Sequence, residues 1–394
     1  MHHLLIVTAA YGVILGAASA RAEAPEAAGQ GRDVIKRGIS FLRTTQNKDG
    51  SWMPEPGPAV TALVVRAMLD QPDMTAQDPH VARGVAHILS KRQSDGSIHG
   101  GFLQNYNTAI CLSALAALPD EPEVARAVRD AQDFLRKLQW SGQPDAQGRV
   151  VDELHPFFGG AGYGKHGRPD LSNTQVMIQG LHDSGLSTDD PAFRRAVRFI
   201  SRCQGSVDND MFADNIVSDG GFIYTTSVNE DLVGVPQSMA SPDMVDEAKA
   251  ARPVSGLRTY GSMTYAGFKS YIYAGLGRDD PRVHDAHRWI RHHYTVDHNP
   301  GMPEPLKMQG YYYYLMTFAR ALHAWGSDRI TTADGQDHHW SADLIKTLTA
   351  AQQADGSWRN DADRWLEGDP NLVTAYALIA LNNAVAYQEI TTNK

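Results

Sequence analysis

Apolar positions recur along this chain in two alternating styles: one segment is amphipathic at helical period, and the next is apolar nearly all round. The amphipathic kind predicts helices near 33–46, 80–92, 123–139, 192–203, 281–294 and 340–353. The enclosed kind predicts helices near 59–70, 107–118, 173–184, 262–275, 310–325 and 371–384. Polar turns separate them, among them Gln46-Asn47-Lys48-Asp49-Gly50-Ser51-Trp52, Gln93-Ser94-Asp95-Gly96-Ser97-Ile98 and Gln352-Gln353-Ala354-Asp355-Gly356-Ser357-Trp358. Gly enters the left-handed region cheaply and so stops the preceding helix, and the Trp or Ile beyond it is expected to pack into the seam with a neighbouring unit.

Five of the enclosed runs reach a Thr at a comparable place: Thr61, Thr108, Thr174, Thr264 and Thr374. A unit repeated six times, with one half-exposed and one enclosed helix each, predicts six inner helices inside six outer ones, a double ring that counts as one domain. Asn107, Ser172, Ser262 and Asn371 are expected to cap inner helices, which brings several helix N-termini to one end of the ring.

Charge and cysteine content narrow the class. The net charge of −9 comes without any basic stripe, which excludes nucleic acid as a partner. Two cysteines, Cys111 and Cys203, exclude a disulfide scaffold and a Cys-rich zinc site, and leave open a single bridge between them. Leu4 to Ala18 is mostly apolar and leads into Ala20-Arg21-Ala22, so residues 1–22 read as a signal peptide and 23–31 as a flexible mature N-terminus. The expected location is periplasmic or secreted; His2 and His3 in place of Lys or Arg keep an uncleaved anchor as the alternative. No later stretch is apolar for the ~18 residues of a spanning helix, so any membrane contact of the mature chain is at the surface.

Several fragments carry a resemblance. Gly38-x-x-Phe41-Leu42-x3-Gln46-x3-Gly50-x-Trp52 resembles the QW repeat of squalene-hopene cyclases and related triterpene cyclases. Gly159-Gly160-Ala161-Gly162-Tyr163-Gly164, Arg168-Pro169-Asp170-Leu171-Ser172-Asn173-Thr174 and Tyr260-Gly261-Ser262-Met263-Thr264-Tyr265-Ala266-Gly267 are similar to text of the same prenyltransferase and squalene oxidase repeat proteins. The resemblance implies an all-α (α/α)6 toroid over 32–390, with a polar insertion near 205–259. It covers a single toroid, shorter than a triterpene cyclase with its second α-barrel.

Class II cyclases open an inner helix with Pro-Asp-x-Asp-Asp-Thr-Ala, whose middle Asp protonates the substrate. Aligned on Thr174, this chain has Asp170 for the first Asp, Ser172 for the proton donor and Asn173 for the third. A Ser hydroxyl cannot protonate an alkene, so the family's catalytic acid is absent. Asp170 is the substitute candidate, and Asp-Leu-Ser-Asn before a helix also reads as capping. Tyr163, Tyr260, Tyr265, Tyr311 and Tyr312 are, with Ser172 and Asn173, the candidate cavity residues, since the cyclases use aromatic faces against carbocations. The ligand so implied is an isoprenoid or other extended apolar molecule, with binding, isomerisation or cyclisation as the activity and no cofactor.

Two other readings stay open. Carboxylates Asp208, Asp210, Asp214, Asp219, Glu304, Glu367 and Asp369 lie in turns or the insertion, and a pair across a groove suits a polysaccharide-active (α/α)6 enzyme, glycosidase or lyase. A non-catalytic binding scaffold would instead fill its centre with side chains. His284, His287, His292, His293 and His298 cluster in sequence, yet no carboxylate at ligand spacing accompanies them, so no metal site is expected. Gly159 to Gly164 lacks the strand and the Lys-Ser/Thr of a phosphate loop and is read as a close backbone passage.

Overall fold

Helix-period segments become helices almost one for one. The computed structural model describes residues 9–118, 121–241 and 255–392. Outer helices are α1 (Ala9–Thr45), α3 (Pro79–Ser90), α5 (Pro122–Leu138), α7 (Pro191–Arg202), α9 (Pro281–His292) and α11 (Trp340–Ala351). Inner helices are α2 (Ala59–Leu69), α4 (Gln104–Leu115), α6 (Leu171–Asp183), α8 (Gly261–Tyr273), α10 (Tyr311–Trp325) and α12 (Pro370–Thr392). Each inner helix packs on the next, α2 on α4 through to α10 on α12, and α12 returns to α2, so the inner circle is closed. The outer helices pack on the inner ones, α3 on α2, α5 on α4, α7 on α6, α9 on α8, α11 on α12 and α1 on α12. This is the (α/α)6 toroid.

Three outer helices begin Asp-Pro, and the Asp caps them: Asp78 accepts from His80 N at 2.9 Å, Asp190 from Ala192 N at 2.8 Å and Asp280 from Arg282 N at 3.0 Å. Pro at the first helical position gives up an N–H that has no partner there anyway.

The recurrent Thr has a single task. Its hydroxyl, at the start of an inner helix, accepts the N–H of the residue just past the Gly turn: Trp52 N to Thr61 Oγ1 at 3.0 Å, Ile98 N to Thr108 at 3.0 Å, Ala161 N to Thr174 at 3.0 Å, Phe222 N to Thr264 at 3.1 Å and Trp358 N to Thr374 at 3.2 Å. The turn is thereby stitched to the inner helix that follows it. Trp52 and Trp358 are fully buried, and their indole N–H groups donate to Leu42 O and Leu348 O at 2.7 and 2.8 Å. Gln46, Gln139, Gln204 and Gln352, at the ends of outer helices, each donate both to their own turn and to the first turn or interior of the next outer helix, as Gln46 does to Gly50 O and His80 O.

Glycine is required in these turns for two reasons at once. Gly159 has φ +83, and a Cβ on it would stand 1.8 Å from Arg195 O of α7; Gly50, at φ +86, would clash with Arg83 O of α3 at 2.3 Å. Gly96, Gly220 and Gly356 repeat the same approach at three further seams. The sixth seam, between α9 and α11, is different. An unexpected two-stranded hairpin, β1 (Arg329–Thr331) and β2 (Asp337–His339), fills it, with Ala333 N donating to Arg291 O at 3.0 Å. Its inner helix, α10, carries Tyr314 where the others carry Thr, and that hydroxyl donates to Thr295 O at 2.6 Å.

Two expectations change. The expected flexible stretch 23–31 lies within α1, where Ala28 and Gly31 are buried or packed, a Cβ on Gly31 falling 2.6 Å from Val385. Ala-rich sequence sustains the helix, and packing on α12 fixes it. Residues 1–8 of the expected signal and 242–254 of the expected insertion lie outside the described residues. The described part of the insertion is a packed cover, with Phe222, Ile223, Thr225, Thr226 and Ser238 buried. No helix among the described residues is long and apolar enough to cross a membrane.

Gly159→Ala is expected to lose about 3 kcal/mol of stability, from left-handed strain plus a backbone clash, whereas Gly148→Ala, at φ +78 with open space around it, should lose only about 1 kcal/mol; urea unfolding of the two variants measures the gap. Thr174→Val keeps the shape but strands the buried Ala161 N–H, and its unfolding midpoint should report a loss of about 1–3 kcal/mol.

Candidate functional site

The N-termini of the inner helices are buried, so their free N–H groups need protein partners. The residues expected as caps do not cap their own helices. Asn107, Ser172, Ser262 and Asn371 all sit inside the first turns, because each helix starts earlier than the apolar run suggests. Asp170 caps α6, accepting from Asn173 N at 2.8 Å, and Asp369 caps α12, accepting from Asn371 N at 2.8 Å. The other caps come from neighbouring elements. Asn107 of α4 accepts from Ala59 N of α2 at 3.0 Å, and Asn299 accepts from Ser262 N of α8 at 2.9 Å. Glu367 accepts from Tyr313 N and Tyr312 N of α10 at 2.8 and 3.2 Å.

These first turns surround the hollow of the ring. A cavity of about 220 Å³ is walled by all six inner helices, through Val60, Tyr106, Ser172, Ser262, Tyr313 and Leu372 among others. Loop residues Tyr163, Tyr224, Met239, Trp365 and Leu366 extend the wall, and the partial exposure of Tyr163, Trp365 and Leu366 marks its mouth. Tyr106, Tyr313 and Tyr376 form the floor. Tyr106 and Tyr376 hydroxyls stand 3.4 Å apart, and the Tyr313 hydroxyl meets Ser172 Oγ at 3.1 Å and Gln175 Nε2 at 3.0 Å.

Beneath the floor the ring is plugged. Only about 30 Å³ remains open there, beside Arg66, Ser113, Gln179 and Arg320. Lys269 is fully enclosed and donates to Gln175 Oε1 at 2.6 Å and to Gln179; burial drives its pKa well down. Asp183 is held by Ser113, by Gln179 at 3.2 Å and by Arg66 at 3.5 Å, and its neighbouring cations and donors keep its carboxyl well below the usual range despite burial.

One carboxyl faces the cavity among the described residues: Glu367. It is 1 % exposed, and burial pushes its pKa up to about 7 against the opposing pull of Tyr313 N–H, the Asn360 amide at 2.7 Å and Tyr312 N–H. The two residues before it, Trp365 and Leu366, take left-handed φ of 58 and 68 without being Gly, a conformation that costs about 1–2 kcal/mol per residue. That strained turn is what delivers the Glu367 side chain to both α10 and the cavity.

Of the residues expected to line the cavity, Tyr163, Ser172 and Tyr260 do so. Tyr260 is 3 % exposed, and its hydroxyl has no hydrogen-bond partner among the described residues. Asp170 is fully buried one layer behind the wall, accepting from the Asn173 N–H and amide at 2.8 Å each, with the Arg168 guanidinium 4.0 Å away; burial raises its pKa against the pull of Arg168 and Asn173. Its capping role accounts for its place. Asn173 is spent on Asp170 and does not reach the cavity. Tyr265 packs between α8 and α10 against Tyr314 and Phe318, with ring centroids 5.6 and 5.0 Å away. Tyr311 donates to Val296 O at 2.6 Å and stands edge-on to Tyr312, both outside the cavity. Four successive tyrosines point round a whole turn, and only Tyr313 faces inward.

None of the other candidate carboxylates lines the cavity, and three are occupied elsewhere. Asp210 pairs with Arg198 at 2.7 Å and Arg202 at 3.3 Å, Asp219 accepts from Thr259 at 2.8 Å, and Glu304 pairs with Lys307 at 2.6 Å. The histidines do not converge: His287 lies on Phe268 and Trp325, His293 on Trp289, and His284 beside Asp285. No group of three or more metal-ligating side chains gathers among the described residues. Cys111 and Cys203 are both free, buried thiols.

No protein-family model and no curated protein matches the chain. Solved structures do. A variant of the type II terpene cyclase MstE from Scytonema, in complex with its substrate geranylgeranyl dihydroxybenzoate, aligns with TM-score 0.51 and 14% identity over 93% of this chain and 99% of that one. The same cyclase without ligand aligns with TM-score 0.50 and 14% identity over 91% and 99%. A family 76 glycoside hydrolase, the mannosidase Bt3792 from Bacteroides thetaiotaomicron VPI-5482, aligns with TM-score 0.54 and 10% identity over 94% and 100%. At these identities the likeness establishes the fold, a toroid shared by terpene cyclases and glycosidases.

Glu367 makes stability pH-dependent in a definite direction. Its folded pKa lies above the ordinary 4.5, so its contribution is fully present below about 4.5 and is lost as pH rises through about 7. The loss is expected to reach roughly 3 kcal/mol. Urea unfolding from pH 4.5 to 8 should show that slope in the native chain and a flatter curve in Glu367→Gln.

Proposed function

We propose that the chain holds an extended apolar molecule of isoprenoid type in its central cavity, as a terpene-cyclase-like toroid that has given up the cation-starting acid of the squalene-hopene pattern. The observation that carries this reading is the wall of the cavity. Tyrosine rings and apolar side chains from five of the inner helices form it, with Ser172 from α6, Ser262 from α8 and one carboxyl. Such a surface gains about 25 cal/mol for each Å² of apolar ligand removed from water. Ser172, in the place of the family's proton donor, does line the cavity, where its hydroxyl is engaged with Tyr313. Glycosidic cleavage needs two carboxyl groups roughly 5–9.5 Å apart across the sugar. A single cavity carboxyl favours the apolar ligand over the polysaccharide.

Titration of the purified protein with geranylgeraniol, followed by the change in tryptophan and tyrosine fluorescence, tests this. A dissociation constant of about 10 µM or tighter is expected, and Val60→Trp, which fills the cavity from α2, should weaken it at least about tenfold. Binding of a mannan oligosaccharide in place of geranylgeraniol would overturn the reading.

A further inference from the structure

Three inner helices are capped by side chains from other elements, and the three caps are not alike. Asn107 and Asn299 serve α2 and α8 with neutral amides, while Glu367 serves α10 with a carboxyl. Glu367 accepts on both carboxyl oxygens, from two N–H groups of α10 and from the Asn360 amide, where each asparagine offers one amide oxygen. Glu367 also differs in facing the cavity, and two consecutive non-Gly residues are held in left-handed strain to bring it there. Strain retained next to a cavity is the mark of a position selected for something other than stability.

Across the same cavity stands a hydroxyl that needs an acceptor. Tyr260, immediately before α8, is nearly fully enclosed, lines the cavity and has no protein partner among the described residues. A ligand made of hydrocarbon alone would leave that hydroxyl stranded, at a loss of about 1–3 kcal/mol; a ligand with an oxygen at that point satisfies it. Burial raises the pKa of Tyr260 well above its usual value, so it remains a donor throughout the working range.

From this geometry, and resting on the reading of the cavity as an isoprenoid pocket, we propose that the cavity catalyses a redox-neutral proton shift on an apolar ligand carrying a carbonyl group, with Glu367 taking and returning the proton and Tyr260 holding the carbonyl oxygen. The Glu367 carboxylate removes a proton from the carbon beside the carbonyl. The C–H electron pair becomes a C=C bond to the carbonyl carbon, and the C=O pair moves onto oxygen, where Tyr260 donates to it. When the C=O bond re-forms, the carboxylic acid returns its proton either to the same carbon, giving exchange, or to the far end of a conjugated double bond, giving its migration. Nothing is oxidised or reduced, and no co-reactant is consumed.

The position of Glu367 on the acidity scale fits this chemistry and not the cyclase's. An acid with a pKa of about 7 is far too weak to protonate an alkene, but its conjugate base is present and strong enough near neutral pH to remove an activated proton. The N–H groups of Tyr312 and Tyr313 and the Asn360 amide stabilise the carboxylate while it waits. Titratable groups facing it are Tyr311 and Tyr312 of α10 and Tyr376 of α12, all pushed upward by burial and so neutral; Asp361 and Arg364 lie on its own loop, and Asp369 caps α12. Glu367 is therefore the group that titrates near neutrality at this wall.

Farnesylacetone, a linear isoprenoid ketone, serves as the probe. The intact protein is incubated with it in heavy water, deuterium entering beside the carbonyl is measured by mass spectrometry, and probe binding is measured separately by fluorescence. Exchange above the protein-free rate is expected to rise with pH to a plateau with a midpoint near 7, the carboxylate being the active form. Glu367→Gln, which keeps an acceptor for α10, should lower exchange by about 10²–10⁴ while the probe still binds. Tyr260→Phe should lower exchange about tenfold or more with its unfolding midpoint unchanged or raised, since it deletes an unpaired buried hydroxyl; a merely structural tyrosine would show the reverse. Probe that binds without exchanging, or exchange that persists in Glu367→Gln, overturns the proton shift and leaves the apolar pocket standing. Absence of probe binding overturns both.

Discussion

The ring depends on one hydrogen bond made five times. A threonine in the first turn of an inner helix accepts the N–H of the residue that follows a glycine turn, and so fixes where the chain re-enters the ring after each outer helix. Both partners are buried, so an unmade bond would cost more than the made one contributes. The glycine beside it lets the turn lie against the carbonyl of the next outer helix, closer than any Cβ allows. Around this stitch the Trp side chains and the Gln bridges are arranged, and they set the spacing of neighbouring outer helices.

What was legible in the sequence follows from what repeats. The apolar period recurs in six units and the threonine and glycine in five of them, and they carried the twelve helices and their alternation, ten of them to within a few residues; α1 begins well before the expected 33 and α12 runs past the expected 384. The Asp170 cap of α6 was legible, but the caps supplied across elements were not, because the side chain that closes α2 belongs to α4 and the one that closes α10 lies more than fifty residues downstream. A cap across elements has no local signature. The same holds for the cavity wall. Tyr260 and Tyr163 stood in fragments with recognisable neighbours, whereas Tyr106 and Tyr376 become wall residues only through helix rotation in α4 and α12, and Tyr224 reaches the wall from a loop. Tyr265, Tyr311 and Tyr312 fell on the other side of the same rotation. Glu367 was visible only as one acidic residue among several, since nothing in its local sequence announces two left-handed residues ahead of it.

The hollow is one-sided for a physical reason. At the N-terminal ends of the inner helices the side chains are short or flat, Val60, Ser172, Ser262 and the tyrosine rings, and they leave space. At the C-terminal ends Arg66, Lys269 and Arg320 fill it, the two guanidiniums standing where the helix dipoles are negative with Asp183 between them, and Lys269 bonded to two glutamines. The tyrosine floor separates the two regimes. Chemistry that needs a dry, apolar, open volume therefore has one half of the barrel available to it, and the one carboxyl lining that half among the described residues is Glu367.

The meeting of α1 with α12 carries a further consequence. Gly38 admits Leu378 and Trp358, and Arg32 pairs with Glu389 at 2.6 Å, so the first and last helices are each other's neighbours. An open solenoid tolerates the loss of a repeat because every interior contact is between adjacent units and its ends are finished surfaces. A circle has no finished ends. Removing one unit would leave two unsealed faces, so such a frame accommodates changes at its rim and pocket more readily than a change in the number of its helices.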